Sequence, residues 1–272
     1  MIARVFAFVS FYLQAQSKYR IHSPHLYDFV MNVVEQKIDI PSSTKRIEGI
    51  RSKYQKDHST LDITDLGAGS NADNSLKRSI ASIVRSAVSG TSKCQFLYRI
   101  ARHYEAKSIL ELGTSLGIAS SYLAHAASLT TIEGCPNISG VARKTLDESG
   151  QVAECLVGEI EDHLKSMIKE TRTFDLVFAD GNHQKEPTLH YFDLLCQLLP
   201  SSGGVIVFDD IYWSRGMTEA WQDIRQDDRV IKSIDLFELG IVYVGHAFDQ
   251  KEHHALIKAI YKPWQTGLFK SA

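Results

Sequence analysis

The sequence predicts an α/β fold: a doubly wound, mainly parallel sheet of seven strands, preceded by a mainly helical extension. Three observations carry this prediction. From Lys107 onward, short apolar runs alternate with amphipathic stretches, the pattern of strands and crossover helices. The first run ends in a glycine-containing turn that opens a helical pattern. The last two runs, 230–236 and 240–244, are joined by too few residues for a crossover helix, so we expect an antiparallel hairpin.

The individual elements follow from apolar periodicity. The predicted parallel strands cover 108–112, 129–132, 153–157, 174–179 and 205–208. The predicted helices between and after them cover 118–127, 138–149, 160–170, 188–199 and 217–226.

Length and composition limit the possible functions. The chain of 272 residues is long enough for one large domain, or one domain with a cap. Its net charge of −2 lacks the basic excess of a nucleic-acid-binding protein. Four cysteines without a CxxC spacing argue against a zinc cluster and a disulfide scaffold. These features favour a reducing, cytoplasmic location, and no stretch is long enough to predict a membrane-spanning helix.

The N-terminal residues are predicted to form a packing helix. The side chains of Val5, Phe6, Val9, Tyr12 and Leu13 fall on one helical face. An export signal or a membrane anchor is the alternative, but the apolar run is short and lacks a convincing cleavage site.

The segment 108–117, S-I-L-E-L-G-T-S-L-G, predicts a strand, a tight turn at Gly113 and Gly117, and a helix start. Glycine lets backbone N–H groups approach a ligand closely. Glu133 lies 22 residues after Glu111, where a carboxylate can accept hydrogen bonds from the ribose hydroxyls of an adenosine-type ligand.

The stretch 61–70 resembles a second such loop, but neither a packed helix nor an acidic residue follows at the expected spacing. We interpret it as cap structure that folds over the active site.

Acidic residues follow five successive predicted strands. They are Glu111, Glu133, Glu159, Asp180, Asp209 and Asp210. In open α/β sheets the carboxyl ends of the strands border the ligand crevice. Repulsion among these acids would cost stability unless a cation or a hydroxyl-rich ligand offsets it.

Asp180, Asp209 and Asp210 are candidate ligands of a divalent metal. Mg²⁺ prefers a few carboxylates together with water and substrate oxygens, and it could orient and acidify a substrate hydroxyl. Two alternatives remain: Asp209 or Asp210 caps the next helix, and Asp180 contacts only a cofactor.

Three further side chains near these acids could contact a substrate. His183, in the run D-G-N-H, is a candidate general base, or else merely a polar neighbour. Asn182 could hold substrate or orient His183. Trp213 could form the wall of an aromatic or acyl substrate site, or belong to the core. The Gly158-Glu159 turn could flank an adenine ring, or be a plain turn.

Five segments, in order and spacing, resemble one family. E-L-G-T-S-L-G at 111–117, T-I-E-G at 131–134, V-G-E at 157–159, F-A-D-G-N-H at 178–183 and F-D-D at 208–210 resemble class I S-adenosylmethionine-dependent methyltransferases. The branch is that of the metal-dependent O-methyltransferases of catechol, caffeoyl-CoA and sugar type. The resemblance covers about 95–247 and implies a Rossmann-like fold. It divides the chain into a helical cap (1–95), a methyltransferase domain (96–247) and a C-terminal tail (248–272).

The resemblance also implies roles for single residues. Glu111, Gly113 and Gly117 would line the methionine end of the cofactor, Glu133 would bind the ribose and Glu159 the adenine edge. The implied cofactor set is Glu111, Gly113, Thr114, Ser115, Gly117, Glu133, Gly134, Gly158, Glu159 and Asp180. Asp180, Asp209 and Asp210 would hold Mg²⁺ or a similar cation.

Two positions depart from the family pattern. His183 stands where the catechol-type enzymes have a lysine base, and Asn182 stands where the sugar O-methyltransferases have a second acid.

The leading hypothesis is methyl transfer from S-adenosylmethionine to a hydroxyl of a small molecule, with a divalent metal assisting and with His183 and Asp180 as catalytic residues. One alternative is a nicotinamide-dinucleotide oxidoreductase. The loop argues against this alternative, because its glycines have the spacing G-x-x-x-G and not the G-x-G-x-x-G of dinucleotide-binding proteins. Another is a non-catalytic S-adenosylmethionine-binding module. Extensions like the first 95 residues usually cover the active site in this fold or make a dimer, so a homodimer is possible.

Overall fold

The computed structural model describes residues 2–63, 77–245 and 251–266. Its α-helices are α1 (Ile2–Gln14), α2 (Pro24–Phe29), α3 (Thr44–Tyr54), α4 (Ile80–Ala87), α5 (Thr91–His103), α6 (Ile118–Ala126), α7 (Pro136–Ser149), α8 (Ile160–Lys169), α9 (Lys185–Cys196) and α10 (Arg215–Gln226). Its strands are β1 (Thr60–Asp62), β2 (Lys77–Ser79), β3 (Ser108–Leu112), β4 (Ser128–Glu133), β5 (Glu154–Val157), β6 (Leu176–Ala179), β7 (Gly204–Asp209), β8 (Val230–Asp235), β9 (Leu239–Val244) and β10 (Glu252–Ala255).

The main sheet has the strand order β10-β8-β9-β7-β6-β3-β4-β5. The five strands from β3 to β7 pair in parallel, while β9 is antiparallel to both β7 and β8. The predicted doubly wound sheet and its terminal antiparallel hairpin are therefore present. The expected seven strands become eight because β10, within the segment predicted as a tail, pairs in parallel with β8 and covers its free backbone edge.

Helices cover both faces of this sheet. Along each parallel strand, side chains alternate between two hydrophobic clusters. Ile109 and Val207 pack with α3, α5 and α6 on one face, whereas Leu110 and Ile206 pack with α8, α9 and α10 on the other. The sheet is thus buried on both sides, which leaves its carboxyl edge as the place where polar side chains gather.

The first helix packs through a different face from the one predicted. Val5, Phe6, Val9 and Leu13 are 57%, 71%, 48% and 75% exposed, whereas Phe11 is buried at 5%. The buried side is the one that meets the turn between β8 and β9 and the C-terminal residues. Of the described helices, none has the length and apolar character needed to cross a membrane.

The small strands β1 and β2 form a separate antiparallel ribbon. Leu61 and Asp62 of β1 pair with Arg78 and Lys77. The rest of the stretch 61–70 that we predict to be cap structure lies, after Ile63, outside the described residues.

Glu48 joins helix α3 to helices α5 and α6. Its carboxylate accepts hydrogen bonds from the Tyr122 hydroxyl of α6 at 2.9 Å, from the Thr91 hydroxyl of α5 at 2.6 Å and from Arg51 Nε at 2.9 Å. Three helices therefore share one carboxylate, and each bond is charge-assisted.

Replacing Tyr122 with phenylalanine tests this connection. Tyr122→Phe removes one donor to a part-buried carboxylate, so we expect the free energy of unfolding to fall by about 1–3 kcal/mol in urea denaturation. Tyr27→Phe is the matched control, because Tyr27 is 45% exposed and such a surface change should stay within about 0.5 kcal/mol. Equal stabilities of the two variants would contradict the proposed role of Glu48.

Candidate functional site

The register of the parallel strands brings the predicted site residues to one edge. Leu112 is level with Ile132 and with Ala179, and Ala179 is level with Phe208. Glu133 is level with Val157. The residues that follow these positions therefore lie side by side at the carboxyl edge, and they are Gly113, Gly134, Gly158, Asp180 and Asp209.

Two glycines shape the loop between β3 and α6. Gly113 has a φ of +92°, and a Cβ there would lie 2.5 Å from the backbone oxygen of Asp180. Gly117 has a φ of +78°, and a Cβ would lie 2.9 Å from the backbone oxygen of Ala142. Any other residue at either position would be strained and crowded. The loop thus passes directly against Asp180, whose N–H donates to the Leu112 carbonyl at 2.9 Å.

Glu133 closes this loop from the end of β4. One carboxylate oxygen accepts from the Ser115 N–H at 2.9 Å and the other from the Cys135 N–H at 3.0 Å. Gly134 also donates its N–H to this carboxylate; burial nevertheless raises the pKa of Glu133. The Thr114 hydroxyl is buried and shares a 2.6 Å hydrogen bond with Thr131.

Glu111, for which the resemblance implies a place at the methionine end of the cofactor, lies inside the fold. The side chain is 0% exposed, and one carboxylate oxygen accepts from the hydroxyls of Ser120 at 2.5 Å and Thr131 at 2.7 Å. Burial raises the pKa of Glu111 to about 7. Glu111 thus joins β3, α6 and β4 beneath the loop, and its second carboxylate oxygen is buried without a partner in the described structure.

The turn after β5 lies next to Glu133. The Gly158 N–H donates to the Glu133 carbonyl at 3.0 Å, and Gly158 has a φ of +134°. Glu159 is exposed at the start of α8, and its side chain makes no capping hydrogen bond. The predicted ribose and adenine positions are therefore neighbours on the same edge.

The three acids after β6 and β7 come together around a lysine. Lys93 Nζ, on the first turn of α5, lies 2.7 and 2.8 Å from the two carboxylate oxygens of Asp209. It also lies 3.9 Å from Asp210 Oδ1. Burial alone would lower the pKa of Lys93, but Asp209 and Asp210 raise it above its usual value. The ammonium is therefore charged, and the sequence pattern contains no signal that assigns it to this site.

Mg²⁺ was predicted at Asp180, Asp209 and Asp210, and the arrangement of these residues does not fit it. Both oxygens of Asp209 are bonded to Lys93. Burial raises the pKa of Asp180 well above its usual value, the charge of Asp209 adds to this, and the two carboxyls share a hydrogen bond. Across the described ranges, no three or more His, Cys, Asp or Glu side chains are grouped as a metal site.

His183 and Trp213 lie beside the acids. His183 Nε2 is 3.5 Å from Asp180 Oδ1, and its ring is 6.5 Å from that of Trp213, centroid to centroid. Trp213 is 46% exposed, which excludes the alternative of a core residue. The Asn182 side chain hydrogen-bonds Tyr191, and its amide oxygen is buried without a partner in the described structure.

The first helix contributes a residue that the sequence reasoning missed. The Arg4 guanidinium lies 5.6 Å from the Trp213 ring centroid and 6.0 Å from that of Phe237. Arg4 Nη2 is also 3.9 Å from Asp210 Oδ1. Helix α1 therefore covers the carboxyl edge of the sheet, as a cap would. The sequence offered one signal, since Arg4 is the only charged residue in α1.

Comparisons with known proteins find methyltransferases. Residues 110–211 match the family model described as a methyltransferase domain. The chain is 32% identical over 124 residues to a catechol O-methyltransferase of Niastella koreensis, covering 43% of this chain and 55% of the relative. It is 32% identical over 143 residues to that of Mycobacterium tuberculosis, covering 50% and 62%. The chain thus spans little more than half the length of the curated relatives it matches.

Solved structures share the fold. An O-methyltransferase of Bacillus cereus in complex with SAH superposes with a TM-score of 0.54 at 18% identity, covering 79% of this chain and 94% of that one. The O-methyltransferase TomG of Streptomyces achromogenes, in complex with SAM, has a TM-score of 0.53 at 20% identity, covering 84% and 98%. Residues 110–211 thus match a methyltransferase domain, and the chain has the fold of these O-methyltransferases. The resemblance and the fold class predicted from the sequence are both confirmed.

Four of the seven non-glycine residues with a positive φ in the described structure lie at the same edge. Ser115, Asn182, Asp210 and Phe237 have φ angles of 49°, 56°, 49° and 71°. Residues other than glycine rarely adopt such values, which persist only where surrounding structure imposes them. All four lie in loops around the glycine turn and the acids, as expected of a functional site.

The buried Glu111 predicts a pH-dependent stability. Its pKa is about 7 in the fold and about 4.5 in the unfolded chain. The folded state therefore binds more protons between these values, and its stability falls as the pH rises through that window. Relative to Glu111→Gln, we expect the wild-type chain to lose on the order of 3 kcal/mol of unfolding free energy from pH 4.5 to 7.

Glu154→Gln is the control for this measurement. A hydrogen bond from Arg172 lowers the pKa of Glu154, so the stabilisation by Glu154 is present above pH 4.5 and is lost below it. Urea denaturation across pH should therefore show a flat difference for this variant between pH 4.5 and 7. A flat difference for Glu111→Gln as well would contradict the burial argument.

Proposed function

We propose that the protein transfers the methyl group of S-adenosylmethionine to a hydroxyl oxygen of a small aromatic molecule. The observation that carries this proposal is that the glycine turn contacts Asp180, which lies beside His183. Gly113 leaves no room for a side chain against the Asp180 carbonyl, and the Asp180 carboxyl lies 3.5 Å from His183. A cofactor seated on this turn would present its reactive end to the imidazole.

The residues of the glycine turn and the next two strand ends fit this cofactor. In the glycine turn, the Ser115 hydroxyl is a buried polar group without a partner in the described structure. Glu133 retains acceptor capacity for ribose hydroxyls, because a carboxylate has about four lone-pair positions. Gly158 and Glu159 would border the adenine. When bound, the cofactor supplies a sulfonium methyl group that is open to in-line displacement.

His183 would take the acceptor proton. As the oxygen–methyl bond forms and the sulfur–methyl bond breaks, the hydroxyl proton passes to the imidazole, and the sulfonium becomes a neutral thioether. Asp180 orients the ring through Nε2. The rest of the catalytic effect would come from alignment, because the displacement needs the oxygen, carbon and sulfur in line.

Aromatic side chains support an aromatic acceptor. Trp213 is exposed beside His183, and Arg4 lies against both Trp213 and Phe237. Planar side chains of this kind bind planar rings, and two curated relatives carry the name catechol O-methyltransferase. Phenolic hydroxyls are therefore the first acceptors to test.

Mg²⁺ has no step in this mechanism, because Lys93 holds both oxygens of Asp209. The cytoplasmic location and the homodimer stay predictions, as does the absence of nucleic-acid and membrane partners. The free state of all four cysteines supports a reducing compartment.

Calorimetry tests the cofactor site. We expect S-adenosylmethionine to bind and NAD not to bind. Gly113→Ala should weaken the affinity at least about tenfold, or about 1.4 kcal/mol, because its Cβ would displace the loop. Gly140→Ala is the control, since a Cβ there meets nothing within 4 Å. Wild-type protein that binds NAD but not S-adenosylmethionine would refute the proposal.

Radiolabelled methyl transfer to catechol and other phenols tests the base. His183→Ala should lower kcat by about 10²–10⁴-fold while leaving the affinity for S-adenosylmethionine within about twofold of wild type. His254→Ala is the matched control, because His254 lies on β10 at the far edge of the sheet. Full activity of His183→Ala would remove the imidazole from the mechanism.

A further inference from the structure

Lys93 occupies the centre of the acidic cluster. It reaches from the first turn of α5 to the end of β7, and its side chain is 15% exposed. Asp209, its main partner, has a side chain only 4% exposed. Buried carboxylates need a cation, and here the chain supplies that cation itself.

The hydrogen bonds of Lys93 use two of its three N–H donors. An ammonium carries three N–H groups, and two of them reach the oxygens of Asp209 at 2.7 and 2.8 Å. Asp210 Oδ1, at 3.9 Å, is beyond hydrogen-bond distance. In the described structure the third N–H has no partner, so it is available to a ligand.

The ammonium and the imidazole lie at the two ends of one carboxyl pair. Lys93 bonds Asp209, Asp209 shares a hydrogen bond with Asp180, and Asp180 lies 3.5 Å from His183. Both groups thus border the same pair of carboxyls, Asp180 and Asp209.

We infer that Lys93 is a catalytic residue that takes the place of a divalent cation: it closes the carboxylates to metal and donates its third N–H to the acceptor oxygen. The second part rests on the proposed methyl transfer, whereas the first does not. A fixed positive charge at this point stabilises negative charge that develops on the oxygen as its proton leaves. Methyl transfer by this enzyme then needs no divalent metal.

Titration with Mn²⁺, followed by electron paramagnetic resonance, tests the first part without any assay of activity. Wild-type protein should leave Mn²⁺ free. Lys93→Ala should bind about one Mn²⁺ per chain, because Asp209 and Asp210 lose their cation. Lys93→Arg, which keeps the charge, should behave like the wild type. Circular dichroism establishes that each variant is folded.

Two results would overturn the first part. One is a wild-type chain that binds Mn²⁺ stoichiometrically and loses it in Asp209→Asn. The other is a folded Lys93→Ala that binds no Mn²⁺. The wild-type titration decides between a closed and an open metal site even where Lys93→Ala does not fold.

Kinetics test the second part. Wild-type methyl transfer should be unchanged by EDTA. Lys93→Ala should lower kcat by about 100-fold or more, and added Mn²⁺ should restore part of it. Inhibition of the wild type by EDTA, or a fully active Lys93→Ala, would refute a catalytic role for Lys93. Failure of the proposed function itself would give a different result. No variant would then transfer a methyl group, while the Mn²⁺ titrations would still show the difference expected between wild type and Lys93→Ala.

Discussion

The ion pair between Lys93 and Asp209 is the interaction on which the arrangement of this site depends. Two parallel strands end in acidic residues at the same level, so their carboxyl groups are forced together in a nearly dry space. Such an arrangement is stable only when a cation or a proton offsets the charge. Lys93 neutralises Asp209 from α5, and burial together with the charge of Asp209 raises the pKa of Asp180 well above its usual value. The cation comes from a part of the chain that precedes the sheet.

Hydrogen bonds between the N-terminal and C-terminal segments help to place Arg4 over the site. Lys262 Nζ donates to the Ala15 carbonyl at 2.6 Å, and the Ile257 N–H donates to the Gln16 carbonyl at 3.0 Å. Because β10 extends the sheet beside β8, the residues after it reach the end of α1. The C-terminal residues thus act as part of the methyltransferase fold and fix the orientation of its cap, so Arg4 lies against Trp213 and Asp210.

The positions of the candidate cofactor residues in the fold could be predicted because they follow from local sequence and from one topological rule. An apolar run followed by Gly113 and Gly117 specifies a strand, a turn and a helix, and parallel pairing then brings Glu133, Gly158 and Asp180 to the same edge. The direction of a side chain is a different matter. Glu111 lies on the interior face of β3, where Ser120 and Thr131 donate to one of its carboxylate oxygens, and no spacing along the chain reveals those partners. The packing face of α1 was mispredicted for a similar reason, since Phe8 and Phe11 contact Phe237, which is remote in sequence.

By itself the sequence determined the fold class, the order of strands and helices, and the edge at which the acids meet, because periodicity and glycine turns act over a few residues. Only the tertiary structure decided what neutralises those acids. Lys93 and Asp209 are 116 positions apart, so their pairing depends on how α5 packs against β7. Charge balance in a buried site is set by whatever the fold brings within a few ångströms. A sequence with three converging carboxylates is therefore compatible with a metal or with an ammonium, and here the fold supplies the ammonium.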